Sequence, residues 1–226
     1  MTSPARRHFE RVSAALAAAD AGEAPMQGEA YELMQAALFE DYRLLKSTQS
    51  MERKAEIKRE LLPKYAEYVS GVLEAGQGAQ DDVLMRVMLW RIDAGDLAGA
   101  IAIAQYAIKH GLTPPDQFER GTAAIIAEEV ADQALKQLDE EGADTTALLV
   151  HLEDVEALTR DADMHDQIRA KLHKALGYAC RATGQLDDAQ HHLERALALN
   201  DRIGVKKDLE HLERERKQNA AAAPTG

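Results

Sequence analysis

Apolar residues recur three and four positions apart along most of the chain, the period of a helix with one buried face. Ser3 before Pro4 reads as an N-cap with proline in the first turn, opening a helix to about Ala19. Gly22, Pro25 and Gly28 mark a turn over 21–28. From Glu29 a long helical pattern runs toward Leu62, with Leu33, Ala36, Ala37, Leu44 and Leu45 near helical spacing; it breaks around 47–50, and Pro63 ends or kinks it. A short helix over 64–73 stops at Gly76–Gly78. Asp81-Asp82 opens a helix to Asp93, Gly95 turns the chain, and Asp96 starts a second helix to His110, closed by Gly111 with Pro114-Pro115 beyond. Helices over 122–141, capped off at Gly142, and over 145–160, with Asp144 as its cap, come next. Asp163 opens a helix over 164–183, Gly184 turns, and 186–200 packs back. A last amphipathic helix, 205–217, sets Val205, Leu209 and Leu212 on one stripe with Glu210–Arg214 and Glu213–Lys217 outside. No stretch alternates as a strand does, so the expected fold is all-α.

Two helical hairpins share a pattern. Around Gly184, the residues Leu176, Gly177, Ala189, Leu193 and Ala196 fall at tetratricopeptide spacing, and around Gly95 so do Ala100, Ala104 and Ala107. Small residues at those places let antiparallel helices approach closely. The turn glycines are 89 residues apart rather than 34, so the chain is no regular tandem array. The expected organisation is an N-terminal basic helix (1–20), a helical region holding a basic island (29–75), a domain of antiparallel hairpins with tetratricopeptide-like packing (81–217) and a disordered tail (218–226).

Composition narrows the class. Alanine accounts for 41 of 226 residues and aromatics for only 4%, as suits close-packed helices better than sheets. Arg6 and Arg7 before the alanine-rich 13–19 faintly resemble a signal peptide, but Glu10 intervenes and alanine is a weak apolar core, so this reads as an ordinary helix. No run reaches the roughly 18 apolar residues of a membrane span. One cysteine, Cys180, excludes a disulfide framework and fits a reducing cytoplasm. The formal net charge is −12, with −2 in residues 1–80 and −10 in 81–226, so the chain cannot coat nucleic acid indiscriminately; only a local basic patch could grip it.

Enzyme chemistry finds little support. The pairs Asp81-Asp82, Glu128-Glu129, Glu140-Glu141 and Asp187-Asp188 diverge by about 100° on a helix, whereas catalytic carboxylates must converge. At helix starts such acids read as caps. His191-His192 diverges in the same way, and His173 fills a packing slot. Gly76-Gln77-Gly78 lacks the lysine and hydroxyl of a phosphate loop. No catalytic residue, metal or cofactor is expected. The basic residues say more. Arg7 and Arg11 share a face of the first helix, with Arg6 beside them, and 43–64 carries Arg43, Lys46, Arg53, Lys54, Lys58, Arg59 and Lys64 against three glutamates, net +4. A solvated mixed-charge helix, with Glu56 pairing Arg59, would explain this stretch too. As the one basic island in an acidic chain, it is also the place where DNA would be held. The candidate contacts are Arg6, Arg7, Arg11, Arg43, Lys46, Arg53, Lys54, Lys58 and Arg59.

Several segments together resemble the small terminase subunit of tailed phages, in the family of temperate contractile-tailed phages. They are Thr2-Ser3-Pro4-Ala5 with Arg11-Val12-Ser13; Lys58-Arg59-Glu60-Leu61-Leu62-Pro63; Gly78-Ala79-Gln80-Asp81-Asp82; Val87-Met88-Leu89-Trp90-Arg91; Lys109-His110-Gly111-Leu112; and Arg169-Ala170-Lys171-Leu172-His173-Lys174. The resemblance implies a protein of the host cell cytoplasm that recognises double-stranded viral DNA at a packaging site. It further implies delivery of that DNA to a large ATPase/nuclease subunit and assembly with copies of itself into a ring. Members are also labelled the endonuclease subunit; the residues here place cleavage in the complex rather than in this chain. A protein-binding helical scaffold without DNA, or an intrinsic endonuclease, are the alternatives.

Overall fold

Helix ends in this protein are set by side chains that satisfy the first unpaired N–H groups. In a computed structural model that describes residues 3–115 and 120–222, Ser3, Ser50, Asp81, Asp96 and Asp144 each accept a hydrogen bond from the backbone N–H three residues on. The helices are α1 (Pro4–Ala21), α2 (Glu29–Ser47), α3 (Met51–Leu61), α4 (Ala66–Ala75), α5 (Asp82–Ala94), α6 (Leu97–His110), α7 (Thr122–Leu138), α8 (Thr145–Thr159), α9 (Asp166–Ala182), α10 (Leu186–Leu199) and α11 (Lys206–Ala222). A 3-10 turn, Leu62–Lys64, links α3 to α4. No strand occurs among the described residues, and none of their helices is long and apolar enough to cross a membrane. The chain is all-α.

Two differences from the sequence reading stand out at helix ends. Asp163 does not cap α9, which starts at Asp166 behind His165. And α11 continues to Ala222, through residues expected to be disordered, because Lys, Glu, Arg and Ala favour helix; 223–226 lie outside the described residues. The chain divides into two compact units that part at Thr122/Ala123. The reason lies in α5: it packs on α2, α3 and the 3-10 turn, so the first hairpin, α5–α6, belongs with the N-terminal helices.

In the first unit, α1 lies on α4 at very close range. Ala14 and Ala18 are fully buried there, and a Cβ on Gly71 would collide with the Arg11 carbonyl and sit 2.9 Å from the Ala15 nitrogen. The α5–α6 hairpin supplies the core through Leu84, Met85, Met88, Ile103, Ala104 and Ala107, and turns at Gly95 in the left-handed conformation (φ 85°). Tyr65 meets Trp90 edge-on, 5.9 Å between ring centres.

Asp81 is the buried polar pivot of this unit. Its carboxylate accepts from the Tyr68 hydroxyl (2.7 Å) and from the Leu84 N–H (2.9 Å) while fully shielded from solvent. Burial pushes its pKa up to about 6, against hydrogen bonds that pull the other way. Between about pH 4 and pH 6 the folded protein therefore holds a proton that the unfolded chain has released, and Asp81 makes stability fall as pH rises, by roughly 3 kcal/mol in all. Asp81→Asn keeps an oxygen that accepts from the Leu84 N–H, sets an amide NH2 that can donate to the Tyr68 hydroxyl oxygen, and removes the charge. Urea unfolding of the variant minus that of the parent should show this slope disappear from the first unit; an unchanged difference from pH 4 to pH 7 would contradict it.

The second unit closes on the α9–α10 hairpin. Leu176, Gly177, Ala189, Leu193 and Ala196, picked out by spacing, are all buried in it, and a Cβ on Gly177 would lie 2.6 Å from Leu193 Cδ2. Arg181 pairs with Glu215 (3.0 Å), the Tyr178 hydroxyl donates to Asp208 (3.0 Å), and Lys174 reaches the Ile203 carbonyl (3.2 Å), tying α9 to the C-terminal segment. Cys180 is buried and its thiol is pushed up to about 11, the state of an inert spacer. His173 and His192 place their Nδ1 atoms 3.0 Å apart across the hairpin. Burial first, and the neighbouring His192 second, bring His173 down to about 4. The unfolded chain thus binds a proton that the folded hairpin refuses between about pH 6.5 and pH 4, so stability of this unit falls as pH drops through that window. His173→Gln should flatten the acid limb of its unfolding curve, as followed by circular dichroism; an unaltered acid limb would contradict the assignment.

Candidate nucleic-acid interface

All nine cations proposed from sequence lie in the first unit, but their environments differ sharply. Lys58, only 12% exposed in its side chain, is bonded to Asp93, and the Arg59 Nε donates to the Ala94 carbonyl at 3.0 Å. These two residues clamp α3 to the end of α5. Lys64 likewise joins the Tyr65 hydroxyl on the buried Asp41 (2.9 and 2.6 Å). Lys58 is thereby largely withdrawn from solvent, whereas Arg59 and Lys64 stay exposed beside these contacts.

The rest keep their charge outside. Arg53 pairs with Glu56 (2.7 Å) and more loosely with Glu60 (3.5 Å), which raises its pKa; Glu56 thus pairs with Arg53 rather than with Arg59. Arg6 meets Glu10 (2.8 Å), Arg11 meets Glu74 (3.7 Å) and Arg43 meets Glu40 (3.4 Å). Such exposed pairs contribute roughly 0–1 kcal/mol and yield readily to a phosphate. Among the described residues no ion pair holds Arg7, Lys46 or the half-buried Lys54.

One grouping was not singled out from sequence. Phe39, Tyr42, Arg43 and Lys46 follow at i, i+3, i+4 and i+7, so they share a face of α2, and all four are exposed. The Arg43 guanidinium stands over the Phe39 ring at 5.9 Å, and Arg86 stands over Tyr42 at 5.4 Å. Burial lowers the Arg86 pKa. The turn 48–50 then leads directly into α3, whose N-terminal turn carries Arg53 and Lys54. Aromatic residues at helical spacing with cations were the available signal. It was masked by Leu33, Leu44 and Leu45, which make the same segment read as a simple amphipathic helix.

No group of three or more histidine, cysteine, aspartate or glutamate side chains that could hold a metal occurs among the described residues. Asp187 and Asp188 sit in the first turn of α10, where Asp187 bonds Arg216, and Lys171 holds Glu128 (3.3 Å) and Asp132 (2.8 Å).

The chain is all-helical, its exposed Arg43 and Lys46 share one face of α2 with Phe39 and Tyr42, and comparison with known proteins gives it a family. Residues 35–167 match the phage small terminase subunit family, and the chain belongs to it. It is 48% identical over 225 residues, 99% of this chain and 90% of the relative, to the "Terminase, endonuclease subunit" of Escherichia phage P2. No solved structure matches.

Proposed function

We propose that this terminase small subunit recognises packaging-site DNA through the C-terminal half of α2 and the start of α3, and presents it to the large subunit. The observation that carries this reading is the exposed set Phe39, Arg43 and Lys46 beside Arg53 and Lys54, in a chain where the neighbouring Lys58 is withdrawn onto Asp93. Arginine and lysine set three apart on one face, as Arg43 and Lys46 are, can follow a phosphate backbone, and the aromatic ring holds the guanidinium in place. Individually such contacts are weak. In an assembly of several copies acting on one duplex, effective concentration multiplies them, which is why a ring suits so acidic a chain.

Cleavage is assigned to the complex. Asp81 caps α5, Glu128 pairs with Lys171 and Asp187 with Arg216, and the relative's name of endonuclease subunit names its place in a terminase. A DNA-free scaffold would need the α2 cations for a protein partner, for which nothing on that face argues. The test uses immobilised packaging-site duplex and purified large subunit. The large subunit should be retained on this duplex, and not on a shuffled one, only when the small subunit is present. Retention without it, or equal retention on both duplexes, would contradict the reading.

A further inference from the structure

Phe39 stands at the head of the cationic face of α2 and is 62% exposed. Exposure alone decides nothing, since single apolar side chains are common on surfaces; the neighbours decide. Arg43 and Lys46 follow four and seven residues on, within about 40° of the ring around the helix. Of the two rings on this face, Tyr42 is held against the protein, with the half-buried Arg86 of α5 over it at 5.4 Å. Over Phe39 stands the exposed Arg43 at 5.9 Å, near the outer limit of such a contact, and so exposed a guanidinium can leave the ring for a phosphate. The acids around this face mark its ends. Glu32 lies about two turns before Phe39 on nearly the same line, and Asp82 of α5 lies by Tyr31 in the first turn of α2. Glu40 is turned about 100° aside and pairs with Arg43, while Asp41, on the opposite side, is buried and held by Lys64 and Tyr65. The cationic stretch therefore begins at Phe39 and runs on toward α3.

An apolar ring at the end of a row of cations meets the part of a duplex that the cations do not. Phe39 stands about 6 Å along α2 from Arg43, close to the width of the minor groove. With Arg43 and Lys46 on backbone phosphates, the ring falls over a groove and against the base edges. A phenyl ring has no hydrogen bond to offer there, and its favourable place is between two base pairs. We infer that Phe39 inserts at one base step of the duplex and partly unstacks it, bending the DNA toward its major groove. Apolar side chains used in this way kink duplexes by about 20–90°. The cost of opening depends on the step, and pyrimidine–purine steps open most easily. The ring thus lets the chain read sequence without a hydrogen bond to any base, by preferring a duplex whose flexible step lies at the right distance from the phosphates held by Arg43 and Lys46. This inference rests on the reading that α2 holds DNA, and it adds how the packaging site is told from other duplex.

The experiment uses the full chain and a set of packaging-site duplexes in which 2-aminopurine replaces one adenine at a time, each next to a pyrimidine; its fluorescence rises when the base loses its stacking. The parent should raise the fluorescence severalfold at discrete steps and leave the others unchanged. Phe39→Ala should lose that rise and bind about tenfold more weakly, yet keep the parent's salt slope, since no phosphate contact goes. The unchanged slope also shows that the variant is folded and still grips the backbone. Met51→Ala removes an equally exposed apolar side chain beside Arg53 and Lys54, and should keep the rise. A parent that does not bind the duplex would overturn both this inference and the DNA reading it rests on. A parent that binds with no rise at any position would overturn the insertion alone. So would a Phe39→Ala variant whose rise is undiminished or whose salt slope falls, or a rise lost in Met51→Ala instead.

Discussion

Gly71→Leu is expected to unfold the first unit at physiological temperature. The glycine lies where α4 crosses α1, and any Cβ there meets backbone, the Arg11 carbonyl and the Ala15 nitrogen, not a side chain that could swing aside. Backbone cannot yield without separating the helices, and separation would expose Ala14 and Ala18, both fully buried on α1. Overpacking alone costs about 1–3 kcal/mol, and lost burial adds to it; against a total stability of about 5–15 kcal/mol that is a large share. Thermal unfolding monitored by calorimetry should show the first unit's transition lowered by more than about 10 °C or missing. Gly177→Ala in the other unit is the control: there the clash is with the end of Leu193, which can rotate, so a smaller shift is expected. Equal, small shifts in both would contradict the packing described.

The second large effect concerns DNA. Arg43→Glu/Lys46→Glu is expected to lower affinity for packaging-site duplex by about 60-fold at 0.1 M salt, because two lost phosphate contacts each account for nearly a factor of ten. Fluorescence anisotropy measures this directly. Lys58→Gln/Arg59→Gln should behave oppositely: little change in affinity, but a lower unfolding midpoint, since these residues bind Asp93 and the Ala94 carbonyl. If the second pair abolished binding at unchanged stability while the first did nothing, the interface would have to be moved to the face of α3.

Much of the fold could be read from the sequence because its signals are local. Caps at Ser3, Asp81, Asp96 and Asp144, and turns at Gly95, Gly111 and Gly184, depend on residues within one helical turn of each other. Small residues at hairpin spacing likewise identified the buried contacts of α9 with α10. What escaped depends on partners far along the chain. Lys58 and Arg59 look like any exposed cations until Asp93 and Ala94, 35 residues away, are brought beside them. The packing of α5 back onto α2 and α3 depends on such distant partners too. His192 was dismissed for diverging from its neighbour His191, although its companion His173 sits on the facing helix.

The most direct measurement is the salt dependence of full-chain binding to a packaging-site duplex and to a shuffled duplex of equal length. With about four phosphates neutralised by Arg43, Lys46, Arg53 and Lys54 of one copy, log K should fall against log salt with a slope near −3.6, steeper in proportion to the copies engaged, and the packaging-site duplex should bind more tightly throughout. A flat dependence, or identical curves for the two duplexes, would contradict a DNA-recognition role for this chain.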